Sequence, residues 1–237
     1  MNLPRVADAY VLKNRVYLVS SCVQPASIKP KTMHQYESSF GNTTLPKSII
    51  NKLMKLARKR RLLIGCDGSV KNGVGSFSWG VLDRDNQTAP LLSFLAPLHG
   101  DFDQSTPLRS ELYGLLGALR LTNDIGSRLK HLPADSIKIY SDCQNAINPA
   151  KKHHQIAVKS IFADDADIKA EVRSLYKRVS KYASLSHVKS HQRGKCKFSN
   201  FPPAAKINTY MNDLAKSYHT PQSQGPQHVQ YRNLCSG

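Results

Sequence analysis

The sequence predicts an α/β fold: a mixed sheet, built from an antiparallel meander and then parallel strands, with helices on its faces. Three observations predict it. From residue 61, three β-patterned runs follow one another across short turns. After residue 107, helical and strand patterns alternate, and such alternation implies crossovers between parallel strands. Hydrophobic residues make up 40% of 237, enough for one sizeable core.

Residues 7–23 read as a hairpin of two β-branched runs about Lys13-Asn14. Residues 24–45 are polar, with Pro and Ser, and read as a linker. In PKSIINKLMKLARKRR, residues 46–61, Ile49, Ile50, Leu53, Leu56 and Ala57 recur at helical spacing. Lys and Arg fill the other face and the C-terminal end, where cations suit the helix dipole. Two roles are open to this helix: binding nucleic acid, or packing on the sheet.

Arg61–Ser69 is the first strand of the meander, with Asp67 at its end, and Lys71-Asn72-Gly73 the turn after it. Val74–Leu82 is the second strand, in which Phe77, Trp79 and Val81 alternate, so Trp79 is spaced as sheet core rather than as a base-stacking platform. Residues 83–89 turn and Pro90–Pro97 is the third strand. Pro107–Asn123 is a helix with Leu112, Leu115, Leu116 and Leu119 on one face. Ser136–Ser141 is a strand, and a helix starts at Asp142–Ile147. The tract AKKHH follows, where Lys151, Lys152, His153 and His154 either touch phosphate or are simply solvated. Asp164–Val179 is a helix, Ala183–Lys189 a strand, 191–205 a loop and Ile207–His219 a last helix. The chain divides into an N-terminal extension (1–60), a main domain (61–219) and a polar tail (220–237).

Charge narrows the function. The chain carries 34 Lys and Arg against 16 acids, a formal net charge of +18. So basic a surface repels itself unless a polyanion is a partner, and nucleic acid leads that list. No apolar run reaches the roughly 20 residues of a membrane helix, so no membrane partner is expected. The five cysteines are scattered without a CxxC pair, which suggests a reducing compartment without disulfides or zinc. Lys13 and Arg15 interrupt AYVLKNRVYLVSS, so no signal peptide is expected. The expected location is intracellular, nuclear or cytoplasmic, with an organelle left open.

Asp67 ends the first meander strand, Glu111 falls in the first turn of the following helix, and Asp142 ends the fourth strand. In a mixed sheet those two strand ends can be neighbours, with the helix start against them. Three converging carboxylates repel and raise one another's pKa unless a cation neutralises them. Oxygen-only donors suit Mg²⁺ or Mn²⁺. On a basic chain this suggests phosphoryl transfer on nucleic acid. Each acid also has a plainer reading: a DGS turn for Asp67, a helix cap for Glu111, an N-cap for Asp142.

The segments IGCDGS (64–69), RSELYGLLGAL (109–119), IYSDCQNAI (139–147), HVKSHQ (187–192) and NDLAK (212–216) resemble, in order, those of type 1 ribonuclease H. DGSVKNGVGSFSWGV and LRSELYGLLGAL look most like the reverse-transcriptase-associated ribonuclease H domains of eukaryotic retroelements. The resemblance implies a five-stranded sheet with flanking helices and cleavage of RNA in RNA–DNA hybrids. Asp67, Glu111 and Asp142 would be ligands of two Mg²⁺ ions, with Mn²⁺ as the alternative. His191 would be the mobile-loop histidine that helps protonate or release product. Gly68 and Ser69, by their backbone, and the side chains of Gln144 and Asn145 are candidates to read 2′-hydroxyls.

The chain departs from the family at the fourth acid. Leu214-Ala215 and Asn208 place Asn212, not Asp213, at that position. If Ile207, Met211, Leu214 and Tyr218 face the core, Asn212 and Asp213 flank that face on opposite sides, and only one looks into the site. An amide brings no charge, so a second metal would bind more weakly. A ribonuclease H fold kept as a binding module is therefore the alternative function. A transposase or integrase of the same superfamily fits less well, because the second acid is an early-helix glutamate.

Overall fold

The computed structural model describes residues 45, 47–98, 105–151, 164–189 and 197–219, with the backbone of 7–12 and 15–20. Most of the expected linker, the residues Lys152, His153 and His154, the loop with His191 and the tail from 220 lie outside the described residues. The elements are β1 (Ala7–Leu12), β2 (Arg15–Ser20), α1 (Lys47–Arg58), β3 (Leu62–Lys71), β4 (Val74–Asp83) and β5 (Leu92–Pro97). Then come α2 (Pro107–Ser127), β6 (Ile137–Ser141), α3 (Gln144–Lys151), α4 (Ala166–Val179), β7 (Ala183–His187) and α5 (Pro203–Ser217).

The five-stranded mixed sheet is present as β5-β4-β3-β6-β7: antiparallel across β5, β4 and β3, parallel across β3, β6 and β7. The N-terminal hairpin extends it to seven strands, because β2 pairs in parallel with β5. Asn72 (φ 52°) and Gly73 (φ 75°) make the β3–β4 turn. Two consecutive left-handed residues match the right-handed strand twist, and Asn-Gly adopts them at least cost.

Alternation along β3 sorts its side chains. Leu62, Ile64 and Cys66 join the larger core with Leu112, Leu115 and Leu119 of α2, Ala146 and Ile147 of α3, and Val172 of α4. Leu63, on the other face, packs with Leu82 of β4 and with Ile207 and Met211 of α5. Helices therefore cover both faces. Leu53, Leu56 and Ala57 of α1 are buried in the larger core too, so this helix packs on the domain. Trp79 is buried and stacks on Phe94, ring centroids 5.4 Å apart, as a core residue.

Three local expectations need correction. β3 runs on to Lys71, so Asp67 lies inside a strand, not at its end. Thr106 caps α2, its side chain accepting from the Arg109 N–H, and Pro107 opens the helix. Glu111 is therefore past the first turn. Tyr218 is 37% exposed and not a core residue of α5; it is the C-cap, one residue past the helix end, and the neighbouring His219 meets Ser76 of β4 instead.

Candidate metal centre

The parallel ladder brings the first two acids together. Leu62 to Gly65 of β3 pair with Ile137 to Tyr140 of β6. Carried on two residues, the same register sets Asp67 beside Asp142, just where β6 has ended and the ladder has opened. The third acid comes from α2, which crosses close over β3. A Cβ on Gly68 would lie 2.4 Å from the Glu111 backbone nitrogen and 2.5 Å from the Ser110 carbonyl carbon. Only glycine permits that approach, which explains the Gly after Asp67. One carboxylate oxygen from each of Asp67, Glu111 and Asp142 lies within 4.8 Å of the others; this is the one such acid, His or Cys group among the described residues.

The electrostatics are those of an incomplete site. Asp67 is 3% exposed, and among the described residues its buried Oδ2 has no hydrogen-bond partner, nor does Oε2 of Glu111. Burial, and then the charge of Asp142, push Asp67 up to about 7; Glu111, the Gly68 N–H and Lys216 pull the other way. Burial, and then Asp67 and Asp142, hold Glu111 well above the usual carboxylate range. A buried carboxylate oxygen with no donor costs free energy unless a cation or proton meets it. An all-oxygen donor set suits a hard divalent cation, Mg²⁺ or Mn²⁺. The residues therefore fit a divalent metal. Cys66 and Cys143 lie close by, but burial pushes both thiols up, away from the thiolate form that binds soft metals.

The plainer readings do not describe these acids. Among the described residues, the side-chain partner of Asp142 is Asn208, whose Nδ2 donates to Oδ2 at 3.2 Å. The hydroxyl of Ser141, not Asp142, accepts the Cys143 N–H ahead of α3. Asp67 Oδ1 accepts the Gly68 N–H at 3.0 Å, so that amide serves the carboxylate in this structure. The Ser69 carbonyl is 3.5 Å from the hydroxyls of both Ser76 and Ser110. Gln144 and Asn145 are exposed at the start of α3, two and three residues past Asp142. Gln144 donates to Asn148 Oδ1 at 2.7 Å. His191 lies outside the described residues.

Three neighbours escape sequence reasoning as site residues. Asn208 is 5% exposed, and its Oδ1 is a further buried oxygen without a partner. His187, at the end of β7, has Nε2 3.0 Å from the backbone oxygen of Asp142. Lys216 lies near enough to lower the pKa of Asp67. Asn208, Asn212 and Lys216 recur every four residues, so they form one row along α5. Its first member touches Asp142 and its last acts on Asp67, and Asn212 falls between them in that row. Asp213 is turned about 100° further round. The signal for Asn208 was available: a polar residue inside a buried stripe.

The chain matches no protein-family model and no curated protein. Its shape is similar to solved ribonuclease H structures. The N-terminal RNase H domain of a Mycobacterium tuberculosis protein, solved as a maltose-binding-protein fusion, is 14% identical, with a TM-score of 0.44 over 66% of this chain and 91% of that one. LC11-RNase H1 in complex with an RNA/DNA hybrid is 12% identical, TM-score 0.44, over 67% and 99%. The PFV RNase H domain is 12% identical, TM-score 0.47, over 66% and 93%. The fold class itself is read from the strand order, and the chemistry from the three carboxylates.

Proposed function

We propose that this chain is a metal-dependent endonuclease that hydrolyses the RNA strand of RNA–DNA hybrids, leaving 5′-phosphate and 3′-hydroxyl ends. One observation carries the reading: three acids from β3, α2 and the end of β6 meet, and buried oxygens of Asp67 and Glu111 have no partner among the described residues. The strongly basic composition and the motif resemblance to retroelement ribonuclease H domains support it.

Asp67, Glu111 and Asp142 would hold Mg²⁺ ions, two if a fourth donor serves, with Mn²⁺ as the alternative. Bound divalent cations assist deprotonation of the attacking water and stabilise the departing 3′ oxygen. The chain's own residues do the placing. Asn208 orients Asp142 through its Nδ2 and offers Oδ1 toward the donor set; His187 steadies the Asp142 backbone. Asn212 takes the place of a fourth acid and brings an amide without charge. Gln144 and Asn145 would read 2′-hydroxyls beside Asp142, Gln144 by leaving Asn148, and His191 would assist product release. The test is hybrid cleavage in Mg²⁺ by the wild type and by Asp142→Asn. The variant should fall to background; equal rates would end the proposal.

Asn212 favours a second reading, a ribonuclease H fold retained as a nucleic-acid-binding module. Tight hybrid binding without cleavage at millimolar Mg²⁺ or Mn²⁺ would select it.

A further inference from the structure

We propose that the solvent face of α1 is a second nucleic-acid surface, separate from the carboxylate centre, which grips the phosphate backbone of a duplex. Leu53, Leu56 and Ala57 seat the helix in the core, so its apolar face is used up by the fold. Lys52, Lys55 and Lys59 then form one exposed ridge, flanked by exposed Arg58 and Arg60. Residues 47–60 contain no acid. Among the described residues none of these five cations makes a salt bridge, whereas Arg61, Arg109, Arg120 and Arg128 each pair with a carboxylate.

Two costs show that the charge is not incidental. Like charges three and four residues apart repel along a helix, as Lys52/Lys55, Lys55/Arg58 and Lys55/Lys59 do here. The helix also ends on Arg60 in the left-handed region (φ 56°), with the Arg61 N–H bonded to the Leu56 carbonyl at 3.0 Å. Glycine fills such a position at no steric cost. A cation stands there instead.

The shape of the ridge selects the ligand. From Lys52 to Lys59 it spans about 10 Å, over which one strand of a duplex presents about three phosphates. No aromatic residue lies in 47–60, so the ridge has no stacking platform of the kind single-strand binders use. With Leu53, Leu56 and Ala57 buried in the core and Ile49, Ile50 and Met54 half-buried, α1 has no full apolar face free to lie in a lipid surface. The ridge leads into the start of β3, five residues and about 16 Å along the strand from Asp67.

The experiment uses the full chain in EDTA, so that binding is read without metal and independently of the nuclease reading. A fluorescent 24-base-pair RNA–DNA hybrid is titrated by anisotropy over a salt series. The probe variant is K52E/K55E/K59E; the control, K130E/K177E/K181E, makes the same charge change at exposed lysines elsewhere. The ridge variant should bind at least about tenfold more weakly, with its log–log salt slope smaller by about 2 to 3. The control should change far less. Equal losses in both variants, or no loss in the ridge variant, would overturn the proposal. So would a ridge variant that loses binding to anionic phosphatidylserine vesicles while keeping the duplex. K52Q/K55Q/K59Q guards against misfolding: it relieves the repulsion and should bind at an intermediate level with an undiminished melting temperature.

Discussion

At the scale of single residues, the centre depends on one missing side chain and two amides. Gly68→Ala would drive a methyl into the Glu111 backbone, which cannot yield without moving α2 off β3. A cost of roughly 1–3 kcal/mol is expected, read as a fall of several degrees in Tm. Asn208→Ala removes the donor to Asp142, and Mg²⁺ affinity measured by calorimetry should drop about 10–100-fold with little change in Tm. An unchanged affinity would make Asn208 a mere packing residue. Asn212→Asp should raise both metal affinity and hybrid cleavage. Asp67, Glu111 and Asp142 were legible because charge is rare in apolar surroundings, and all three stand beside apolar runs. His187 and Lys216 were not, because their roles depend on where β7 stops and on the rotation of α5; Asn208 left a signal, a polar residue inside a buried stripe, but not its partner. Ile207, Met211 and Leu214 face the core as expected, and only Tyr218, past the helix end, does not.

At the scale of elements, the strands and helices were legible from their periods, with ends displaced by a few residues. The Asn72-Gly73 turn carried β3 on to Lys71, past Asp67, whereas α2 starts at Pro107 as expected and runs on to Ser127. The parallel pairing of β2 with β5 was not legible, since nothing local in a hairpin names the edge it will join. α1 was legible as amphipathic, and its burial now gives a test. Leu53 is 1% exposed, so Leu53→Ala should cost about 2–5 kcal/mol in urea unfolding and lower the single transition of the domain. An unaltered transition would make α1 an appendage. The first turns of α2 and α4 are tied by Arg109, which meets Asp165 at 3.0 Å and Asp167 at 3.2 Å. Arg109→Met would strand the buried Asp165 carboxylate and should destabilise the domain by about 3–5 kcal/mol.

At the scale of the whole molecule, stability and metal binding are linked through protons. Asp67 has a folded pKa of about 7, above its unfolded value near 3.8. The folded state therefore holds a proton that the unfolded chain has released, and stability falls as pH rises from about 4 to about 7. The effect is at most about 4 kcal/mol, and Glu111 acts in the same direction. The Arg61–Asp83 pair works oppositely but below this window, because Asp83 is lowered. Calorimetry in EDTA should give a lower Tm at pH 8 than at pH 5. Mg²⁺ should raise Tm more at pH 8, where no proton need be displaced. Asp142→Asn should flatten both trends. One further feature bears on how such a centre changes over time. A Cβ at Gly65 would lie 2.7 Å from Ile207, and one at Gly80 would lie 2.7 Å from Met211, while Ser76 and Ser78 bond carbonyls of the same helix. Seated this firmly, α5 keeps its orientation whatever stands in the row of Asn208, Asn212 and Lys216. An amide or an acid can thus stand at 212 on the same unmoved frame, so the donor set is adjustable without refolding the domain.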